Sequence, residues 1–262
     1  MKQVEMAMKS LRRWSIRLGL FSGAMASVLW GMTASTLALP QSQIIEKLKQ
    51  VPVFTVANEK GAPLVASGDD NSRVTGVFMS QKDAKEFVNK LKKENPELGK
   101  QVQVVALSLG KVYQLDKQNE SQSNGLDFTY VPMEEEVKSA LSVLKQQGQE
   151  VDNFGGVPIF LARGGENQGY LTVKRGDGEP VIPMFFEKEQ LQQMISKFKE
   201  NQPQNANSVK IDVTTLESVL QTLEEKNNEQ LKQVVLVPSK ESMQFIQSVS
   251  EQNSQQNSPQ SN

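Results

Sequence analysis

The chain has 262 residues, with 29 basic and 30 acidic side chains, and it contains neither histidine nor cysteine. The absence of both residue types excludes thiolate catalysis, iron–sulfur clusters, zinc sites of the usual kind and haem ligated by histidine or cysteine. Carboxylates could still hold calcium, but Asp69-Asp70-Asn71 lacks the spaced ligand series and terminal Glu of a calcium loop. We therefore expect no cofactor and no metal ion. Stability has to come from a packed core, which a hydrophobic content of 37% can supply.

Residues 1–38 have the composition of a secretory signal peptide. Four basic residues, Lys9, Arg12, Arg13 and Arg17, precede an apolar run over residues 18–32, and Thr36-Leu37-Ala38 resembles a signal-peptidase site. An uncleaved anchor is the alternative, but the run is shorter than the ~20 residues that a membrane-spanning helix needs. We predict export, with no integral membrane span after cleavage. The paired arginines leave the general secretory and the twin-arginine routes both open.

Removing residues 1–38 takes away five basic side chains and one acidic one, which leaves 24 basic and 29 acidic residues. The remaining charge is mildly negative, and no cluster of lysine and arginine stands apart from the acids around it. A protein that binds the phosphate backbone needs a positive stripe that displaces counterions. We therefore expect no nucleic-acid partner.

The order of motifs in the first half of the chain recurs about 106 residues later, since Val51-Pro52-Val53-Phe54 returns as Val157-Pro158-Ile159-Phe160. The apolar positions of a helix recur as well: Ala84, Phe87, Val88 and Leu91 match Leu191, Met194, Ile195 and Phe198. An ordered series of matches at a nearly constant offset indicates an internal duplication. We predict an α+β fold of two tandem copies of one mixed α/β unit, related by a pseudo-twofold axis. The units cover residues 39–147 and 148–246.

Each unit is predicted to contain the same elements in the same order. A helix leads into a strand that starts at the Val-Pro pair, and a glycine-containing turn leads to a second strand. A third strand ends at an amphipathic helix, whose period of 3.6 residues indicates one buried face. A fourth strand, a shorter helix, a fifth strand and a closing helix complete the unit, which favours a mixed sheet covered by helices. The segment 247–262, rich in Gln, Asn and Ser, is predicted to be a disordered tail.

Several short motifs suggest chemistry but have simpler explanations. Glu134-Glu135-Glu136 lies in the first turn of a predicted helix, where carboxylates interact favourably with the helix dipole. Ser142 and Lys145 match a serine acyl-enzyme pattern without its companion motifs. We assign no catalytic residue and do not predict an enzyme. A carboxylate-dependent exported hydrolase, or a carrier of a small apolar ligand, is the alternative.

Three strings carry a resemblance to a known family: VPVFTVANEKGAPLVASG (residues 51–68), VTGVFMSQKDAKEFVNKL (residues 74–91) and GGVPIFLARGGENQGYLTV (residues 155–173). At these strings the chain resembles the Tic22-like family. This family includes cyanobacterial homologues of the soluble intermembrane-space component of the chloroplast inner-envelope protein import apparatus. The resemblance covers roughly residues 40–247. It implies a two-lobed α+β fold with pseudo-twofold symmetry and apolar surface pockets.

The same resemblance implies a chaperone-like role for polypeptides that cross an aqueous space between membranes, with no catalytic residues to carry over. The implied partners are unfolded or outer-membrane-bound polypeptides and the outer-membrane assembly machinery. The implied location is the periplasm, with the thylakoid lumen as the alternative.

A surface that binds varied polypeptides needs adaptable apolar side chains, and methionine and phenylalanine adapt well. We expect such residues on the third strand of each unit and at the entry to the second unit: Met79, Phe154, Val181, Met184 and Phe186. The two units differ in this region, and we therefore predict an exposed apolar patch near Phe154, Met184 and Phe186. The alternative is that these side chains belong to the ordinary core.

Overall fold

A computed structural model describes residues 39–67, 72–120, 125–164, 169–201, 209–226 and 229–256. The predicted signal peptide, residues 1–38, lies outside this part of the chain. The first half contains α1 (Gln41–Leu48), β1 (Pro52–Asn58), β2 (Ala66–Ser67), β3 (Arg73–Phe78), α2 (Gln81–Glu94), α3 (Pro96–Lys100), β4 (Val102–Ser108), α4 (Leu109–Asn119), β5 (Leu126–Val131) and α5 (Glu134–Gln146). The second half contains β6 (Pro158–Gly164), β7 (Gly169–Tyr170), β8 (Val173–Lys174), β9 (Pro180–Phe185), α6 (Lys188–Asn201), β10 (Lys210–Thr215), α7 (Leu216–Glu225), α8 (Glu229–Gln233), β11 (Val234–Val237) and α9 (Lys240–Gln256).

Each half forms one mixed sheet, and the four main strands have the same order in both. The first sheet runs β4–β1–β3–β5, with β1 antiparallel to β3 and β4, and with β3 parallel to β5. The second sheet runs β10–β6–β9–β11 with the same strand directions. The short strands pair at the ends, β2 with β3, β7 with β6 and β8 with β9. The mixed α/β fold expected from the sequence is therefore observed.

The turns from strand to helix are built in the same way in both halves. The Ser108 hydroxyl accepts a hydrogen bond from the Lys111 amide at the start of α4, and the Thr215 hydroxyl accepts one from the Ser218 amide at the start of α7. These side chains satisfy amides that the first helical turn leaves without an intrahelical partner. In each half, the first residue of this helix also donates a backbone hydrogen bond to the valine that precedes the first strand.

The central strands β1 and β6 are buried on both faces, which explains their nearly continuous apolar sequences. Val53 and Ile159 point into a central core that includes side chains of α1, α4 and α7 from both halves. Phe54 and Phe160 point the opposite way, into two separate outer cores. Complete burial of one such side chain contributes roughly 1.5–3 kcal/mol relative to exposure.

The two closing helices exchange halves. Helix α5 ends the first half but packs on the outer face of the second sheet, over β6 and β10. Helix α9 ends the second half and packs on β1 of the first sheet, where the rings of Phe245 and Phe54 meet edge to face at 5.3 Å. The Glu136 carboxylate accepts a hydrogen bond from the Lys188 amide at 3.1 Å, and the Glu241 carboxylate accepts one from the Lys82 amide at 2.8 Å. Each half therefore completes the outer layer of the other.

The second half has no counterpart of α1, although the sequence pattern suggested a lead-in helix for both units. Residues 149–157 form no helix. In the first half, Gly110 lets α1 approach α4 closely, because a Cβ atom there would lie 2.7 Å from the Ile45 carbonyl oxygen. Glu217 takes the corresponding place at the start of α7, and its carboxylate accepts a hydrogen bond from the Val157 amide at 3.1 Å. The two halves are therefore alike in their sheets and different at their entries.

The tail prediction is wrong for residues 247–256, because α9 continues to Gln256. Helix propagation is cooperative, so a turn that is fixed by packing at Phe245 favours continuation through the following residues. Glutamine and glutamate are also good helix formers. Residues 257–262 lie outside the described part of the chain.

Candidate polypeptide-binding surface

The residues expected at the binding surface lie mostly in the core. The exposed fractions of Phe186, Met79, Met184 and Phe154 are 2%, 3%, 7% and 9%, and Val181 is half-buried. The predicted exposed patch near Phe154, Met184 and Phe186 is therefore wrong. The physical reason is that β3 and β9 are central strands with helices or other strands on both faces.

Phe154 occupies the outer core of the second sheet together with side chains of α5. Gly156 follows it with a φ angle of +92°, a backbone conformation that favours glycine. A Cβ atom at this position would also lie 2.5 Å from the Glu217 carboxylate. Gly156 therefore turns the chain while the aromatic side chain of Phe154 is buried.

The exposed large apolar side chains concentrate on α9. Met243, Ile246 and Val249 are 36%, 43% and 37% exposed, at a spacing of three residues along the helix. Two other exposed apolar residues lie elsewhere: Val151 in the segment between α5 and β6, and Tyr170 on β7. We call the three side chains of α9 the α9 stripe. A partly exposed apolar helix face is a candidate contact surface for a partner.

The α9 stripe was missed because the sequence from residue 247 onward was assigned to a polar tail. The signal was present, since Ser242, Phe245, Ile246 and Val249 follow the i, i+3, i+4, i+7 spacing of an amphipathic helix. That spacing shows that the residues share one helix face. It does not show that the sheet beneath covers only the beginning of that face.

A surface pocket of about 500 Å³ lies between α1, α4 and the end of α7. Its lining contains apolar side chains and amides together with Tyr113, Lys117 and Glu224. The Lys117 ammonium lies 2.9 Å from the Glu224 carboxylate and 2.7 Å from that of Glu120. Burial raises the pKa of Tyr113 to about 12, and the nearby Glu224 adds to this effect. Burial acts to lower the pKa of Lys117, but the hydrogen bonds to both glutamates outweigh it and raise the pKa overall.

A glycosidase-like hydrolase requires a pair of carboxylates in its site. Among the described residues that line this pocket, Glu224 is the one acid, and it is paired with Lys117. Within the described ranges, no three Asp or Glu side chains are grouped so that they could hold a metal ion. The helices of the same ranges include none that is long and apolar enough to cross a membrane.

Two half-buried carboxyls outside the pocket have structural roles. Burial raises the pKa of Glu217 and of Glu136, while hydrogen bonds from the Val157 and Lys188 amides act in the opposite direction. Both carboxylates accept a hydrogen bond from a backbone amide at the start of another element. Their perturbed pKa values are thus explained by their positions at element ends, without a catalytic role.

The structure is that of a mixed α/β protein that exposes an apolar helix face. Its half-buried acids Glu217 and Glu136 accept structural hydrogen bonds. A family model described as the Tic22-like family matches residues 8–248, and the chain belongs to that family. It is 38% identical to Anabaena Tic22, a protein-transport structure, with a TM-score of 0.72 over 80% of this chain and 97% of that one. The Tic22 structure from Plasmodium falciparum, at 22% identity and a TM-score of 0.61, shares the fold.

Curated plant proteins are more distant relatives. The chain is 28% identical over 221 residues to the Arabidopsis thaliana protein TIC 22-like, chloroplastic. That match covers 82% of this chain and 66% of the plant protein, so the chain spans about two thirds of that relative's length. It is also 26% identical to protein TIC 22, chloroplastic, of Pisum sativum, over 82% of this chain and 81% of the relative. The family is thus one involved in protein transport.

Replacing Phe186 by Asp tests its position in the core. A buried charge without a partner is among the most destabilising changes, and we expect Phe186→Asp to lower the free energy of unfolding by about 4 kcal/mol or more. Ile246→Asp on the exposed stripe is the matched control, and its melting temperature should stay within about 2 °C of the wild type. Circular dichroism during heating measures both. A folded Phe186→Asp protein of normal stability would contradict the burial of this residue.

Proposed function

We propose that this protein binds polypeptides in transit across an aqueous compartment between membranes. In this chaperone-like role it assists protein translocation or outer-membrane biogenesis. The α9 stripe is the observation that carries the proposal. Membership of a protein-transport family and a solved relative titled for protein transport support it. The proposal involves no catalysis.

The composition of the α9 stripe suits varied partners. Met243 has a flexible, polarisable side chain that adapts to differently shaped apolar groups, and Ile246 and Val249 supply aliphatic area next to it. The proposed partners are unfolded or outer-membrane-bound polypeptides, together with the outer-membrane assembly machinery. Such chains expose the apolar side chains that this helix face can cover.

A triple variant, Met243→Ser with Ile246→Ser and Val249→Ser, tests the surface. We expect it to need at least about fivefold more protein than the wild type to suppress aggregation of an unfolded outer-membrane protein by half, because the apolar contact area is lost. Light scattering after dilution from denaturant is the measurement. The matched control, Val151→Ser with Tyr170→Ser, removes exposed apolar side chains elsewhere and should act like the wild type. Equal suppression by the triple variant and the wild type would contradict this assignment.

We also propose export to the periplasm, with the thylakoid lumen as the alternative, after cleavage of residues 1–38. The support is the signal-peptide pattern of the sequence. Fractionation of the source cells, followed by N-terminal sequencing of the recovered protein, is the measurement. We expect a periplasmic protein that begins at Leu39. A full-length protein in the cytoplasmic fraction would contradict both the cleavage and the location.

The equal strand order of the two sheets supports a further structural proposal, that the halves are tandem repeats related by a pseudo-twofold axis. The exchanged closing helices and the two glutamates that accept amides across the halves support the same relation. Superposing the sheet and helix Cα atoms of one half on the other in a crystal structure should give a rotation close to 180°. A rotation far from 180° would contradict the proposed pseudo-twofold axis.

A further inference from the structure

Only part of the apolar face of helix α9 packs against the rest of the protein. Ser242 is buried and Phe245 packs in the outer core of the first sheet, whereas Ile246 and Val249 remain exposed. Helix α5 carries apolar side chains at the same spacing, and all of them are buried or half-buried against the second sheet: Val137, Ala140, Leu141 and Leu144. The two exchanged helices therefore differ in how firmly they are held, and α9 has fewer apolar contacts.

The surface beneath α9 is strongly apolar. Phe54, Val56 and Phe78 form its buried centre, and the β4 side chains next to them are only half-buried: Val102, Val104 and Ala106. Helix α5 packs across both β6 and β10, whereas α9 packs mainly on β1. The first sheet therefore offers more apolar surface on this side than α9 covers.

The polar contacts of α9 to other elements are concentrated in its first turn. The Glu241 carboxylate accepts the Lys82 amide, the Lys240 ammonium lies 2.9 Å from Glu189, and the Lys240 amide donates to Glu187. Exposed ion pairs of this kind contribute little to stability. Beyond Phe245, every side chain that the structure describes on α9 is exposed. The helix is thus tied at its start, and Phe245 is its main apolar anchor.

We propose that α9 is a displaceable occupant of the outer face of the first sheet, and that an amphipathic helix of a bound polypeptide takes its place. This inference rests on the proposed function and names the class of polypeptide segment that is bound: the α9 stripe makes the first contact with the polypeptide, and an amphipathic helix of that polypeptide then occupies the place of α9 on the sheet. The packing position of Phe245 indicates which side chain the partner helix must supply. An aromatic side chain fits edge to face against Phe54, beside the packed pair of Phe78 and Phe87. Such recognition of a helix in an apolar groove is an established mode of peptide binding.

The probe for the test is a labelled synthetic peptide with the sequence of residues 239–256. It is added to the full chain and to the Phe245→Ala variant, and binding is followed by fluorescence anisotropy. The attached α9 competes with the free peptide in the wild type, and we expect the variant to bind the peptide about tenfold more tightly or better. A peptide that itself carries Phe245→Ala should bind neither protein. Equal affinity for both proteins, or no binding to a folded variant, would overturn the proposal.

Hydrogen exchange of the wild-type protein provides a second measurement that does not depend on the variant. We expect the amides of residues 243–246 to exchange at least about tenfold faster than those of residues 138–141, with a further increase when the free peptide is in excess. Protection of residues 243–246 equal to that of residues 138–141 would overturn displacement. A failure of the proposed function looks different, since suppression of aggregation would then be absent while peptide exchange and fast α9 exchange persist.

Discussion

The outer face of each sheet is covered by helices from both halves, and the rest of the structure depends on this exchange. Helix α2 covers one part of the first sheet and α6 covers one part of the second. The closing helix of the opposite half covers a further part. An apolar face left to water would forfeit roughly 25 cal/mol for each Å² that burial removes from solvent. The exchange therefore makes the two halves mutually dependent, although each contains a complete sheet.

The same exchange of closing helices provides hydrogen-bond acceptors for amides at the N-termini of α2 and α6. The first amides of α2 and α6 have no intrahelical acceptors. Glu241 supplies an acceptor to the start of α2, and Glu136 supplies one to the start of α6. A carboxylate at a helix N-terminus also interacts favourably with the helix dipole. Glu136 and Glu241 are thus parts of the contact between the halves.

The proposed binding surface lies where the two halves differ. Helix α5 leads into a connecting segment whose Phe154 joins it in the core of the second sheet. Among the described residues, no segment follows α9 in a comparable way, and Ile246 and Val249 stay exposed. At the entries, Gly110 admits α1 in the first half, whereas Glu217 fills the corresponding place in the second. The two halves therefore share the order of their main strands and differ in their outer layers.

The sequence by itself determined the elements that local chemistry controls. The Val-Pro motifs at a constant offset predicted two strands that the structure shows at the centre of two sheets. The lack of His and Cys excluded whole classes of metal chemistry. Amphipathic spacing identified the buried faces of α2 and α6, because that spacing depends only on the helical period.

Only the tertiary structure determined which sheet each apolar helix face packs against. Apolar periodicity shows that a helix has one apolar face to bury, but it does not indicate which sheet covers that face. The crossing of α5 and α9 to opposite halves could therefore not be read from the chain. Met184 and Phe186 looked available because this region differs between the two predicted units, yet both side chains lie in the central core. Ile246 looked like the last residue before a tail, and it is exposed because the sheet beneath α9 supports only the helix start.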